Sequence, residues 1–215
     1  MRQFYIEEKR SVGVNSTMGV ELLTALAAVL SAGATLAGVW AKRKFARPKP
    51  CEVESHVKAG ANVYTALKFL KGELSASRAY VFEFHNGGSY FSGRGQQKFS
   101  CTHEVVSPGV SAECMFSQDH RVSNYSVYIN ELIADGSFAY LNLDEIEDSG
   151  FRTLLSHKGV SAIYNVPIKT LNGKIIGILG VDYIGALRSF PSLGKDKSVQ
   201  EFMARQARLI AGYLV

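Results

Sequence analysis

Polar and apolar residues alternate along this chain with three different periods. From Gly19 to Trp40 the sequence GVELLTALAAVLSAGATLAGVW holds one ionisable residue, Glu21. A helix rising about 1.5 Å per residue needs about 20 such residues to cross a bilayer. The run is stopped by Lys42, Arg43, Lys44, Arg47 and Lys49 with Pro48 and Pro50, which predicts one transmembrane helix over 18–41 and a basic linker over 42–51. Residues 1–17 read as a short tail of mixed charge. From about Glu52 to Leu74, Val63, Leu67, Leu70 and Leu74 recur at helical spacing and predict an amphipathic connecting helix. The pattern then shortens to period two. Tyr80, Phe82 and Phe84 alternate with Val81, Glu83 and His85, predicting a strand over Arg78–His85. A second strand is expected over Lys98–Val106, with Phe99, Cys101, His103 and Val105 on one side.

Asn86 to Gly95 reads as a glycine-rich flexible loop. Between Ser111 and Asp148 the pattern weakens. It suggests a short helix near Ala112, strands near Tyr125–Ile129 and Phe138–Leu143, and a helical turn over Gly150–His157. Ala162–Lys169 and Lys174–Tyr183 are two strands joined by Leu171-Asn172-Gly173, and Asn-Gly between apolar runs is a strong hairpin signal. A closing helix from about Asp196 carries Val199, Phe202, Met203, Leu209, Ile210 and Tyr213 as its apolar face. The fold class expected is α+β: one N-terminal transmembrane helix, then an antiparallel sheet flanked by helices in a soluble domain over 52–215.

Composition changes this picture at the span. Ala, Gly, Thr and Ser dominate it, and Glu21, Thr24, Ala28, Ser31, Thr35 and Gly38 fall at steps of three and four along one helix face. Small residues permit close helix approach and hydroxyls can bond between helices, so this face is a candidate for self-association into a homo-oligomer. The alternative is that each hydroxyl bonds back to its own helix and Glu21 reaches the interface. The net charge of +5 is concentrated in the juxtamembrane cluster, which suits anionic lipid headgroups rather than nucleic acid. Five Lys and Arg after the span against three before it favour a cytoplasmic C-terminal domain. Cys51, Cys101 and Cys114 form no CxxC pair and suggest no disulfide framework.

Candidate chemistry is sparse. His85, Asn86, Gly87 and Gly88 end a strand where a sheet can present polar groups, and with His103 and Glu104 they are the candidate ligand or partner site. Cys101, His103 and Glu104 lack a second cluster with ligand spacing, so no metal is expected. No cofactor is expected either. GxSxG, HExxH and the P-loop are absent from the sequence, and an enzyme is not expected.

Two resemblances add to this. SAIYNVPIKTLNGKIIGILGVDY and RAYVFEFHNG resemble the closing hairpin and first strand of GAF/PAS-like sensory domains. The layout of one N-terminal span, a basic exit and a C-terminal domain resembles the holins of T-even phages. SRAYVFEFHNGGSYF, NYSVYINELIADGSFAYLN and FMARQARLIAGYLV are similar to that family in order and spacing. That resemblance implies a lysis protein that oligomerises through its span in the host bacterial inner membrane and permeabilises it. A GAF-like domain would set the timing, and an antiholin-like inhibitor protein or a small ligand would bind it. It departs in topology, since those holins place the domain in the periplasm. The other reading is a membrane-anchored cytoplasmic GAF-like sensor that binds a small ligand or a partner protein.

Overall fold

A computed structural model describes residues 15–44, 51–185 and 197–215. The chain divides into two compact units, Met1–Pro50 and Cys51–Val215. Among the described residues the first holds one helix, α1 (Asn15–Lys44). Its segment Val20–Lys42 has a mean hydropathy of 2.0 and is long and apolar enough to cross a membrane. Leu22, Leu23, Leu30 and Leu36 along it are all exposed, and such a surface is stable in water only when lipid or protein covers it. Residues 1–14 and 45–50, most of the expected tail and linker, lie outside the described residues.

The second unit is built on one six-stranded antiparallel sheet in the order β3-β2-β1-β6-β5-β4. Its strands are β1 (Arg78–Ser89), β2 (Gly95–Val106), β3 (His120–Arg121), β4 (Phe138–Tyr140), β5 (Val160–Lys169) and β6 (Ile175–Ile184). The helices are α2 (Glu52–Glu73), α3 (Ser126–Asp135), α4 (Ser149–His157) and α5 (Lys197–Leu214). Val63, Leu67 and Leu70 of α2 and Val199, Met203 and Ile210 of α5 bury one face of the sheet against Val81, Tyr164, Val166, Leu179 and Val181. Tyr128, Ile129 and Leu132 of α3 and Phe151 and Leu155 of α4 cover the other face, over Phe99, Ile163 and Ile178. The α+β sheet flanked by helices is therefore present as expected from its periodicities.

Several local expectations differ. Strands β1 and β2 extend through most of the supposed loop. Tyr90 N–H donates to Arg94 O (2.9 Å) and Gly93 N–H to Tyr90 O (2.9 Å), closing a tight turn instead. Tyr125–Ile129 enters helix α3 rather than a strand. Tyr128, Ile129 and Leu132 share one helical face against the sheet, and Gly136 ends the helix at φ +73°. Residues 114–116 form a single 3-10 turn, Cys114–Phe116, near the helix expected at Ala112. In α5, Ala207 rather than Leu209 completes the buried stripe, and Leu209 faces outward. In the β5–β6 hairpin Gly173 alone takes positive φ, +82°; its N–H donates to Thr170 O (2.9 Å).

The most consequential difference lies in β2. Val81 pairs with His103 but Phe82 pairs with Cys101, so Thr102 is an extra residue and forms a β-bulge. Alternation slips by one at that point. Phe99 and Cys101 share the face of Phe82 and Phe84, whereas His103 and Val105 turn to the α2 face, correcting the expectation of a single side.

Strand β6 is shaped by its glycines. A Cβ on Gly177 would strike Phe82 O, and one on Gly180 would strike the Tyr80 ring and Asn165 Oδ1. Gly180→Ala should therefore destabilise the chain by about 1–3 kcal/mol. Gly212→Ala in α5, with no heavy atom within 4 Å of its would-be Cβ, should stabilise it by up to about 1 kcal/mol. Denaturant titration of the detergent-solubilised chain checks both, and equal melting of the two variants would contradict the close approach at Gly180.

Candidate functional site

The sheet face under α3 and α4 carries most of the unit's buried polar groups. Arg78 opens β1 and is 1% exposed; Asp182, its register partner on β6, is 4% exposed. Arg78 Nε donates to both carboxylate oxygens of Asp182, at 2.8 and 2.9 Å. Its outer nitrogens reach Ser111 O (3.5 Å) and Lys158 O (3.4 Å). Burial pulls the guanidinium's pKa down, but the hydrogen bond and charge of Asp182 outweigh it and hold the group above its ordinary range. Burial also drives the Asp182 carboxyl upward, to about 6, against the pull of Arg78.

Beside this pair a second layer is laced together. Glu113 lies 3.7 Å from Arg78 and 3.9 Å from Lys158, and Lys158 Nζ donates to Ser117 Oγ. Burial lowers the Lys158 pKa, and Glu113 opposes it. The Glu104 carboxylate accepts from Glu113 N (2.8 Å) and Cys114 N (2.9 Å), which satisfies donors at the start of the 3-10 turn. Further along the face, Tyr80 Oη donates to Asn165 Oδ1 (3.0 Å), and Asn165 Nδ2 donates to Tyr128 Oη (2.8 Å). Asp148 joins the covering helices, accepting from Phe151 N (2.9 Å) as the cap of α4 and from Tyr128 N (3.0 Å).

These groups border a cavity of about 40 Å³, lined by Arg78, Tyr80, Asn165, Asp182, Lys158 and His120 together with Phe82, Phe151 and Cys101. His120 packs between Phe99 (5.3 Å) and Tyr125 (5.6 Å). Its Nε2 is buried without a protein partner, and burial lowers its pKa. A buried neutral imidazole nitrogen without a protein partner can bond a small ligand or a water molecule.

The residues singled out in the sequence fall largely elsewhere. Of the six candidate ligand residues, Glu104 lines the cavity. His85 Nε2 pairs with Ser100 Oγ at 2.9 Å toward the other end of β1. Asn86 Oδ1 accepts from Gly88 N (3.2 Å), Gly88 takes φ +98°, and Gly87 lies against the Lys98 side chain; this stretch shapes a strand irregularity. His103 faces α2, edge-on to Tyr64 at 5.2 Å. On α1, Thr24 donates to Val20 O and Glu21 O, Ser31 to Ala28 O, and Thr35 to Ser31 O and Ala32 O. Each hydroxyl of the small-residue face thus bonds to its own helix, while Glu21, Ala28 and Gly38 stand exposed beside them. Lys44 Nζ sits 4.5 Å over the Trp40 ring and Lys42 is exposed. The Arg43 side chain, Arg47 and Lys49 lie outside the described residues. The sequence carried a signal for the missed groups: Asn165 and Asp182 each interrupt an apolar strand run, and a polar residue there is buried only when partnered.

No family model matches the chain, and no curated protein matches it in sequence. Solved structures do match. The blue-light absorbing form of the PixJ GAF domain of Thermosynechococcus elongatus superposes with a TM-score of 0.56 at 13% identity, over 75% of this chain and 89% of that one. The GAF domain region of a Geobacter sulfurreducens protein, described as a membrane protein, gives 0.54 at 11%, over 75% and 96%. A far-red absorbing dark state with bound biliverdin gives 0.52 at 11%, over 74% and 97%. At these identities the likeness is one of fold, and the unit Cys51–Val215 has the GAF domain fold.

Removing Arg78 tests the buried pair. A carboxyl whose folded pKa is raised, as for Asp182, contributes stability that is present below its ordinary value near 3.8 and lost as pH rises through about 6. Arg78→Met leaves that carboxylate unpaired and should cost about 3–5 kcal/mol at about pH 8. The deficit should shrink at about pH 5, where Asp182 can take a proton. Denaturation at both pH values measures it, and a pH-independent deficit would show that Asp182 is not the group left stranded.

Proposed function

We propose that this chain is a membrane-anchored sensor: α1 holds it in a bilayer and the GAF-fold unit binds a small polar ligand between the sheet and helices α3 and α4. The observation that carries this reading is the cavity on the sheet's polar face, lined in part by His120, whose buried Nε2 has no protein partner. A water-sized occupant needs about 10–15 Å³, so 40 Å³ suits a ligand of a few heavy atoms. Pockets for drug-sized ligands run to about 300–1,000 Å³. A tetrapyrrole such as the biliverdin of the far-red neighbour is therefore too large for this cavity as it stands. The charged groups around the cavity are engaged with one another, which supports a binding module rather than an enzyme. The basic exit from the span supports contact with anionic headgroups and a cytoplasmic soluble unit.

The lytic reading implied by the holin resemblance has no support in the comparisons, which are with GAF domains. Its physical basis was the polar face of α1, whose hydroxyls are occupied by their own helix. The two readings part on induction in a bacterium. A sensor should stay in the carbonate-resistant membrane fraction while the membrane potential holds. Replacing Thr24, Ser31 and Thr35 with Leu should then leave growth unchanged. Collapse of the potential as the chain accumulates, delayed by that triple variant, would overturn the sensor reading and restore the lytic one. For ligand binding, native mass spectrometry of the detergent-purified chain should show a small adduct that His120→Leu loses.

A further inference from the structure

Two of the three cysteines meet at the cavity's rim. Cys101 is buried on β2 beside the Thr102 bulge, and Cys114 opens the 3-10 turn, half-buried. Cys114 Sγ donates to Cys101 O at 3.3 Å, and Cys101 Sγ donates to His103 O at 3.6 Å. The backbone around them is tightly laced. Cys101 N donates to Ser117 O (2.8 Å). Gln118 Nε2 donates to both Cys101 O (2.8 Å) and Cys114 O (2.6 Å). Glu104 clamps the amides of Glu113 and Cys114 from the strand side. The fold has thus already brought Cys114 Sγ against the Cys101 backbone across a separation of 13 residues, so a bond between the two sulfurs requires little further chain ordering.

We propose that Cys101 and Cys114 form a reversible disulfide when the chain meets a low-molecular-weight disulfide oxidant. Burial holds the Cys101 thiol well above its ordinary range, so Cys114 is the sulfur that attacks first. Its thiolate, having lost a proton, displaces one thiolate from the oxidant and forms a mixed disulfide. Cys101 sulfur then attacks the Cys114 sulfur, expels the second thiolate and gives up its own proton. Two cysteine thiols are oxidised and one oxidant disulfide is reduced to two thiols. The geometry requires Cys114 Sγ to rotate from the Cys101 carbonyl onto its sulfur, leaving that carbonyl its bond from Gln118. Exposed Met115 and Phe116 beside it, at 83% and 81%, leave the approach to Cys114 open. Because Cys101 lines the cavity, the bond would fix the rim on which Glu113 and Ser117 stand. The disulfide does not depend on what the cavity binds.

The test uses the full chain in detergent micelles with the exposed Cys51 changed to Ser, incubated with glutathione disulfide and then alkylated. Peptide mapping should show both remaining thiols lost to alkylation, a chain lighter by two hydrogens and a peptide pair joined through Cys101 and Cys114. Dithiothreitol should restore both thiols. In Cys101→Ser the reaction should stop at a stable glutathione adduct on Cys114, and Cys114→Ser should take up glutathione at least tenfold more slowly. Persistent glutathione on Cys114 in the parent, or both thiols still alkylating after oxidation, would overturn the proposal.

Discussion

Burying a guanidinium and a carboxylate together is costly, and the soluble unit is arranged around one such pair. Desolvating each ion costs several kcal/mol, which their attraction recovers only with good geometry and further hydrogen bonds. Arg78 meets that condition through two short bonds to Asp182 and longer ones to the carbonyls of Ser111 and Lys158. Those partners come from β6, the segment after β2 and the end of α4. One side chain therefore sets how three separated stretches meet the first strand. A buried pair of this kind contributes more to selecting one arrangement than to net stability, because misplaced alternatives leave an unpaired charge in the interior.

The pair also explains why the two sheet faces differ. The α2 and α5 face is nearly all aliphatic, with Val63, Leu67, Leu70 and Met203 fully buried. The other face carries Arg78, Asp182, Asn165, Tyr80 and Glu104, each bonded to a neighbour. The bulge at Thr102 makes this segregation possible. Without it, strict alternation would leave Glu104 and Cys101 on opposite faces. With it, Glu104 reaches the 3-10 turn and His103 packs under Tyr64. Gly180 serves the same face differently, since its missing side chain is the space in which Tyr80 and Asn165 meet.

The two faces therefore differ in kind, one largely apolar and the other carrying the polar groups that line the cavity. Most of the polar groups around the cavity are bonded within the protein. The exception, His120 Nε2, is the atom with something to gain from binding. Helix α1 has the opposite character. Its apolar side chains are exposed along its length, and its stability in water depends on what covers them.

The elements with strong periodicity were legible in the chain itself: α1, α2, β1, β2, the β5–β6 hairpin and α5 follow from spacing that admits one exposed and one buried face. The segment around Tyr125–Ile129 was not, because a short apolar run fits a strand as well as a helix, and packing of Ile129 and Leu132 on the sheet decided it. The site was less legible still. His85, Asn86 and the glycines after them attract notice as a motif, yet they serve backbone geometry. Glu104 was singled out, but its contact with the 3-10 turn depends on an extra residue in β2 that no period reveals. Arg78 and Asp182 are 104 residues apart; Asp182 interrupts an apolar strand run, but nothing local marks the two as partners. The sequence alone determined the strongly periodic helices and strands, because those depend on near neighbours and on which side chains water rejects. The tertiary structure alone decided which polar groups are buried together, because desolvation and pairing act between residues that only the closed sheet brings into contact.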